Sequence, residues 1–290
     1  MFPRYLRNWL LVLLAGVISA STSDQRPAPQ EPPLPSDPNQ FVREVVQREL
    51  DAQDHDHSLW RFRIHKEDEG NSQDRDVIQT RQGSLAKTLL INGNPLTPEQ
   101  RKKDQERMKN LVEDPNEQAK RERRSKQDED KAKELLRAIP DAFLFKYDGT
   151  EGNLTQLTFS PNPRYAPPTR ELMVYHAMTG NLSVDRIALR LVMIEGRLTE
   201  EVKFGWGLLG HLDKGGTFKV IQQKVSENHW DQVFLNVNMT GRAIIFKTLN
   251  VKTKQILSNF HRVPDDITLA RAFEMFQSDS SIAAENLSEK

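Results

Sequence analysis

Two patterns of apolar residues open the part of the chain that we expect to fold. Between residues 41 and 50 the spacing of Phe41, Val42, Val45, Val46 and Leu50 predicts a helix with one apolar side. The pattern then changes to alternation, which predicts a half-buried strand. Its apolar side carries Trp60, Phe62 and Ile64, and its polar side carries Arg61, Arg63 and His65. Two further short strands are predicted at 76–81 and 85–91, before a turn at residues 92–95.

A long helical segment, residues 97–139, follows this turn. Thr97, Pro98 and Gln100 have the order of a capping box with proline in the first turn, which predicts a helix start at this point. The same signal recurs at Asp114-Pro115, so we expect the helix to break and restart. Residues 116–131 are charged with both signs, which favours a solvated helix over a nucleic-acid surface. Apolar residues return at 132–139, before Pro140.

Strand-like alternation continues from Phe143 for more than a hundred residues. We place predicted turns at Thr179-Gly180-Asn181, Glu195-Gly196 and Thr240-Gly241, and read Leu172–Met178 as a strand. Strands with Gly or Asn turns every 10–15 residues are typical of an antiparallel meander. A final helix is predicted at 267–276. The fold class is therefore α+β, a curved antiparallel sheet packed on helices with a long charged helical insertion.

The N-terminus has the features of a signal peptide. Arg4 and Arg7 precede an apolar run of about ten residues and then the small residues Ser19, Ala20 and Ser21. We predict a signal peptide at 1–20, a Pro-rich disordered linker at 21–39, one domain at 40–277 and a flexible tail at 278–290. The expected location is the periplasm or the exterior, with no transmembrane helix in the mature form.

Composition narrows the function classes. The sequence has 41 Lys and Arg, 41 Asp and Glu, and no cysteine. The balanced charge gives no basic field for nucleic acid, so we expect no nucleic-acid partner. The absence of cysteine from the sequence rules out disulfides, thiolate metal sites and cysteine nucleophiles.

Few residues suggest catalysis or metal binding. Asp51, Asp54, Asp56, His55 and His57 could surround a metal, but their spacing is more typical of a polar loop between a helix and a strand. His176 alternates with apolar residues, as a sheet histidine does, and His211 is the histidine to test first for activity. We predict no catalytic residue, no metal site and no cofactor.

Residues 141–262 carry a family resemblance. Its segments are Phe143-Leu144-Phe145, 157–163, Met178-Thr179-Gly180, Val184-Asp185-Arg186, Glu195-Gly196, 215–218, Trp230 and Phe246-Lys247-Thr248 with Phe260. This pattern resembles the outer-membrane lipoprotein-sorting superfamily, which is LolA/LolB-like and includes RseB-like periplasmic sensors. The resemblance implies an incomplete barrel of antiparallel strands around helices, with an apolar interior that takes acyl chains.

The leading function hypothesis is an exported, non-enzymatic protein that binds a lipid or lipoprotein-like hydrophobic ligand in a half-barrel cavity. The same side chains could instead pack on the helices as a filled core. One rival hypothesis is an envelope structural or signalling module that binds a protein partner, and the other is a hydrolase. The predicted cavity residues are Trp60, Phe62, Leu172, Val174, Leu189, Leu191, Phe204, Trp206 and Val237.

Overall fold

Four α-helices and thirteen strands make up the part of the chain that the structure, a computed structural model, describes: residues 34–204, 210–243 and 247–288. The helices are α1 (Pro38–His55), α2 (Pro98–Glu113), α3 (Pro115–Ala142) and α4 (Leu269–Ser288), with a 3-10 helix at Glu171–Ala177. The strands are β1 (Leu59–Asp68), β2 (Asn71–Thr80), β3 (Gly83–Ile91), β4 (Asn94–Pro95), β5 (Phe143–Glu151), β6 (Leu154–Pro161), β7 (Met178–Asp185), β8 (Arg190–Leu198), β9 (Val202–Phe204), β10 (Gly210–Leu212), β11 (Thr217–Ser226), β12 (His229–Ala243) and β13 (Lys247–Val263).

All strands belong to one open antiparallel sheet. Its order is β4-β3-β2-β1-β13-β12-β11-β8-β7-β6-β5, and the short pair β9–β10 joins the side of β12. The first meander, β1–β4, therefore attaches to the last strand of the second meander. The predicted large antiparallel sheet with helices is confirmed.

The register defines the two faces of the sheet. One unbroken row of directly paired residues crosses eight strands. From β5 to β1 it runs through Tyr147, Leu157, Leu182, Ile194, Val220, Leu235, Gln255 and Lys66. Paired residues point to the same side, and the Leu157 end of this row belongs to the apolar cluster that includes α1 residues. We call this side the α1 face. The opposite side, which carries Ile78 and Leu85 on β2 and β3, is the α4 face.

The largest core lies on the α1 face of β5–β8. The apolar side of α1 packs there with Ile139 of α3 and with the 3-10 helix. Phe143 is 1% exposed, and its ring lies 4.8 Å from that of Phe159 and 4.9 Å from that of Tyr175. Burial of this helix side supplies the main stabilisation of the region, because buried aromatic and aliphatic side chains each contribute about 1.5–3 kcal/mol.

A second core lies on the α4 face of β1–β3. Met108 and Leu111 of α2 and Phe276 of α4 pack with Ile78 and Leu85 of the sheet. A smaller aromatic cluster occupies the α1 face of the same strands, where the rings of Phe62 and Phe260 stack at 5.5 Å. The two ends of the sheet thus bury opposite faces against their main helices.

Helix α2 also protects the outer edge of β3. The backbone N–H of Thr88 donates to Asp104 Oδ2 at 2.9 Å, and the Thr88 hydroxyl donates to Asp104 Oδ1 at 2.9 Å. The Arg107 guanidinium donates to the carbonyl of Ala86. These side chains occupy backbone groups that an exposed edge would offer to another strand.

The helix starts in the segment 97–139 are confirmed. The capping box of Thr97 and Gln100 is complete, and Asp114 caps the start of α3. The expected helix end before Pro140 is wrong: α3 continues through Pro140 to Ala142. Pro140 lies in the last turn, where the Pro140 carbonyl accepts a hydrogen bond from the Asn39 side chain at 3.1 Å.

Several turns and one strand were predicted wrongly between residues 171 and 241. Leu172–Met178 is mostly the 3-10 helix, not a strand. Gly180, Gly196 and Gly241 lie inside strands rather than in turns. Gly180 and Gly196 face each other on β7 and β8, and a Cβ on Gly196 would lie 2.6 Å from the Phe218 ring. These glycines mark close approaches between a strand and its neighbours, a second use of glycine in sheets.

The predicted boundaries at the two ends of the chain are only partly covered by the described residues. The predicted signal peptide 1–20 and most of the linker 21–39 lie outside the described residues. The end of that linker belongs to the fold, since α1 begins at Pro38 and the Tyr147 hydroxyl donates to the Pro35 carbonyl at 2.8 Å. Helix α4 extends to Ser288, through most of the segment predicted as a tail.

Candidate functional site

A cavity of about 1250 Å³ opens at one rim of the sheet. Its walls are the second half of α1, the β7–β8 turn and the β11–β12 turn, with Asn153 and Glu129 at its border. We call it the rim cavity. Charged and polar side chains form most of its lining, and Ile187, Ala188 and Trp230 add apolar surface.

A buried ion pair reaches the rim cavity through Arg190, which lines it. Glu49 of α1 is 2% exposed and accepts two hydrogen bonds from Arg190, at 2.9 and 3.0 Å. The backbone N–H of Leu191 donates to the same carboxylate at 2.7 Å. Because each oxygen of the buried carboxylate has a partner, its burial is compensated. The pair joins the main core helix to the start of β8.

Trp230 extends this arrangement to the β11–β12 turn. The Arg190 guanidinium carbon lies 5.5 Å from the centre of the Trp230 ring, a cation–π distance. Lys224 is paired with Trp230 across the same turn and also lines the cavity. One arginine therefore ties α1, β8 and β12 together at the wall of the cavity.

A second polar group connects the end of α1 to β12. His229 Nδ1 lies 2.5 Å from Asp56 Oδ2, and the His229 ring stacks on Trp60 at 4.6 Å. The Ser58 hydroxyl donates to Asp56 Oδ1 at 2.5 Å, and Trp60 Nε1 donates to the Ser58 hydroxyl at 2.7 Å. His229 Nε2 lies 3.5 Å from Asp231.

The surroundings shift the pKa values of this pair in opposite directions. Burial disfavours the charged form of the His229 ring, but the carboxylates of Asp231 and Asp56 outweigh burial and raise the pKa of His229. Burial also disfavours the charged form of Asp56, but hydrogen bonds from Ser58 and His229 outweigh it and lower the pKa of Asp56. The geometry favours an ion pair between the two side chains.

The order of these groups differs from that of a serine hydrolase. In a Ser-His-Asp triad the imidazole stands between the hydroxyl and the carboxylate, so that it can take the hydroxyl proton. Here Asp56 stands between Ser58 and His229. The cluster therefore ties the end of α1 to the sheet, and its geometry does not match that nucleophile activation.

The candidate metal residues of 51–57 have separate partners. His55 Nδ1 lies 2.7 Å from the Asp51 carbonyl, Lys133 donates to Asp54 at 2.8 Å, and Asp56 contacts His229. Within the described residues no group of three His, Cys, Asp or Glu side chains could hold a metal ion. His211 lies on the short strand β10, and its Nε2 is 3.3 Å from Asp213 Oδ1. His176 is exposed on the 3-10 helix.

The predicted cavity residues do not come together in one cavity. Leu172 and Leu191 are buried in the large core, with Val174, Leu189 and Phe204 packed around it. Leu189 has a positive φ of 51° in the β7–β8 turn. Trp60 and Phe62 belong to the separate aromatic cluster on β1. Trp206 lies outside the described residues, and Val237 is half-buried on β12.

Val237 belongs to a different surface, the middle of the α1 face. Val220, Leu235 and Val237 are half-buried there, on the adjacent strands β11 and β12. None of them is part of the three apolar clusters of the described residues. Helices pack mainly on β2, β3, β5 and β8, whereas β11–β13 pack mainly on other strands. We call these three residues the central patch.

Sequence reasoning named Asp51, His55 and Asp56 only as possible metal ligands, and it did not assign Arg190 and His229 to a site. Glu49 carried a usable signal, because it lies three and four residues after Val46 and Val45 on the apolar side of α1. A carboxylate at such a position needs a buried cationic partner. Arg190 and His229 carried no comparable signal, since their partners are 141 and 173 residues away in the sequence.

Comparison of the chain with protein-family models, with curated proteins and with solved structures found no match. Among the described helices, none has the length and apolar character needed to cross a membrane. The site therefore has to be interpreted from its own geometry.

Proposed function

We propose that the chain is an exported, non-enzymatic protein that binds a hydrophobic, acyl-type ligand on the α1 face of its central strands. In this proposal the open sheet is a curved, incomplete barrel of the LolA/LolB-like kind, and α2 and α3 form its charged helical insertion. Localisation in the periplasm or the exterior is part of the same proposal, from the signal-peptide pattern of residues 1–20.

The central patch is the observation that carries this proposal. Burial decreases along the row of paired residues on the α1 face. Leu157 and Leu182 are 1% and 2% exposed, whereas Val220 and Leu235 are only half-buried. The apolar pattern of the core thus continues onto strands against which no helix of residues 34–204, 210–243 and 247–288 packs broadly. Apolar surface in this position gains free energy when a ligand covers it, by about 0.8 kcal/mol for each buried CH₂ group.

The proposal differs from the sequence hypothesis in the residues that touch the ligand. Leu172, Leu191, Trp60 and Phe62 are assigned to filled cores, because they already pack with neighbouring apolar side chains. Val237 remains a proposed ligand-binding residue.

Two neighbouring substitutions on β12 test the site. Val237→Glu places a charge in the central patch, and Asn238→Glu places the same charge on the exposed opposite face. Protein purified without detergent is analysed by native mass spectrometry and by titration with a fluorescent fatty acid. We expect Val237→Glu to weaken binding at least tenfold and Asn238→Glu to leave it unchanged.

Equal binding by the wild type and both folded variants would contradict the assignment of the central patch. Absence of acyl binding in the wild type would contradict the function itself. Circular dichroism of both variants controls for folding.

A protein partner is the second candidate, and it has its own surface. On the α4 face, Met193, Ile221, Phe234 and Ile256 form an adjacent row across β8, β11, β12 and β13. Ile256 is 38% exposed. The other three are half-buried, and partly exposed apolar patches are typical of protein contact surfaces. A photo-crosslinking residue at position 256 would then capture one defined protein, and the same group at position 237 would not.

A further inference from the structure

The central patch and the rim cavity are connected along the same two strands. On β11, Val220, Gln222 and Lys224 alternate onto one side. On β12 their paired partners are Leu235, Gln232 and Trp230. The surface therefore changes within a few residues from aliphatic, through two glutamines, to the charged lining of the rim cavity. Such a sequence of surfaces fits an amphipathic ligand.

The rim cavity carries both signs of charge. Three Arg and Lys side chains and five Asp and Glu side chains line it. Some are neutralised within the protein, since Arg190 pairs with Glu49 and Asp56 pairs with His229. The remaining cations do not outnumber the remaining anions, so a purely anionic group would meet net repulsion.

One arginine and one lysine side chain remain available on the wall of the cavity. Arg48 on α1 and Lys224 on β11 are exposed, and no ion pair within the described residues involves them. Glu227, in the β11–β12 turn three positions after Lys224, is also exposed and lines the same cavity. A cation and an anion that line the same cavity and are not paired with each other can bind the two ends of a dipolar group.

We propose that the rim cavity binds a zwitterionic head group, a phosphate ester with an ammonium group, whose acyl chain lies on the central patch. Lys224 and Arg48 would hold the phosphate, and Glu227 would hold the ammonium group. This inference rests on the proposed function, because the chain must occupy the central patch for the head to reach the rim. The cavity volume of about 1250 Å³ is ample for one such head group.

The test compares ligands that share one short acyl chain, used below their micelle-forming concentrations. The protein without its predicted signal peptide, residues 1–20, is titrated calorimetrically with lysophosphatidylethanolamine, lysophosphatidylglycerol and a monoacylglycerol. Glycerophosphoethanolamine supplies the head group without a chain. We expect the zwitterionic lysolipid to bind at least tenfold more tightly than the other two lipids, and the free head group at least a hundredfold more weakly.

Charge reversal locates the head group. Lys224→Glu should weaken binding of the zwitterionic lysolipid at least tenfold and leave binding of the monoacylglycerol unchanged. Lys214→Glu, an equal charge change on an exposed turn outside the cavity lining, should change neither. Unchanged monoacylglycerol binding also shows that the Lys224→Glu variant is folded.

Each other outcome overturns a defined part of the inference. Equal affinity for all three lipids, with no effect of Lys224→Glu, would remove the head-group site and leave acyl binding in place. Preference for the anionic lysolipid, or equally tight binding of the free head group, would also overturn it. If no lipid binds, the proposed function fails together with the inference.

Discussion

The two ends of the sheet solve the same packing problem on opposite faces. At the β5–β8 end, α1 and the 3-10 helix cover the α1 face. At the β1–β3 end, α2 and α4 cover the α4 face. Each end has a polar or lightly covered second face, as antiparallel sheets commonly do.

This difference explains the character of the middle strands. Strands β11–β13 join two ends whose covered faces are opposite, so among the described helices none forms a full layer on either face of these strands. Val220 and Leu235 on one face, and Ile221 and Phe234 on the other, are all half-buried. A sheet that changes its covered face therefore leaves apolar surface at the crossing, and we place the proposed ligand there.

The largest expected losses of unfolding free energy come from removing one buried ring from each of the two cores. Phe143→Ala removes a ring from the centre of the larger core, and we expect it to lower the free energy of unfolding by about 4 kcal/mol. Phe276→Ala removes a ring from the smaller core and should cost about 3 kcal/mol. Urea denaturation measures both values.

Hydrogen exchange decides whether the two ends open separately. We expect Phe276→Ala to accelerate exchange mainly in α2, α4 and β1–β3, and Phe143→Ala to accelerate it throughout the sheet. Equal acceleration in α1 and β5–β8 by Phe276→Ala would show that the two ends form one cooperative unit.

A smaller effect is expected where the β5–β8 end borders the middle strands. In Gly196→Ala the new Cβ would lie 2.6 Å from the Phe218 ring and 2.8 Å from the Thr179 carbonyl, so β8 or the ring must move. We expect a loss of about 1–3 kcal/mol in the free energy of unfolding. The loss should be smaller when Phe218 is also changed to Leu, and a double-mutant cycle measures the coupling. A cost that is the same in both backgrounds would mean that the ring contact does not cause it.

The smallest effect concerns pH and the contact between α1 and β12. The pKa of His229 is raised in the folded protein, so the contribution of its ion pair to stability is complete below the unfolded pKa of about 6.5. That contribution is lost as the pH rises through the higher folded pKa. The wild type should therefore lose about 1 kcal/mol more than His229→Gln between pH 6 and pH 9. Parallel pH profiles of the two proteins would disprove a role for this ion pair.

Local signals in the sequence predicted much of the fold. The apolar side of α1, the alternation in β1 and the capping box of Thr97 each depend on residues that are close together in the sequence. The glycines were misread because the sequence does not distinguish a glycine in a turn from one that admits a neighbouring ring. Gly196 needs space for Phe218, which is 22 positions away and on another strand.

The candidate site was far less predictable. Alternation predicted which apolar residues share one face of a strand. It did not predict whether a helix packs against that face at Leu191 or at Val237. The rim cavity depends on contacts such as Glu49 with Arg190, which the strand order alone brings together. In the sequence, only Glu49, a charged residue on the apolar side of α1, indicated such a contact.

The pairing of β1 with β13 has a consequence for how the chain folds. Trp60 and Arg262 are direct partners in the middle of the sheet although about two hundred residues separate them. The β5–β8 meander can pair strands that follow one another in the sequence, but β1–β4 has no place in the sheet until β13 has formed. Such distant pairing slows folding, because a long loop must close before the contact stabilises it. We therefore expect the β1–β4 meander to join the sheet last, after β13 has paired with β12. A chain shortened before residue 247 should keep its two meanders apart.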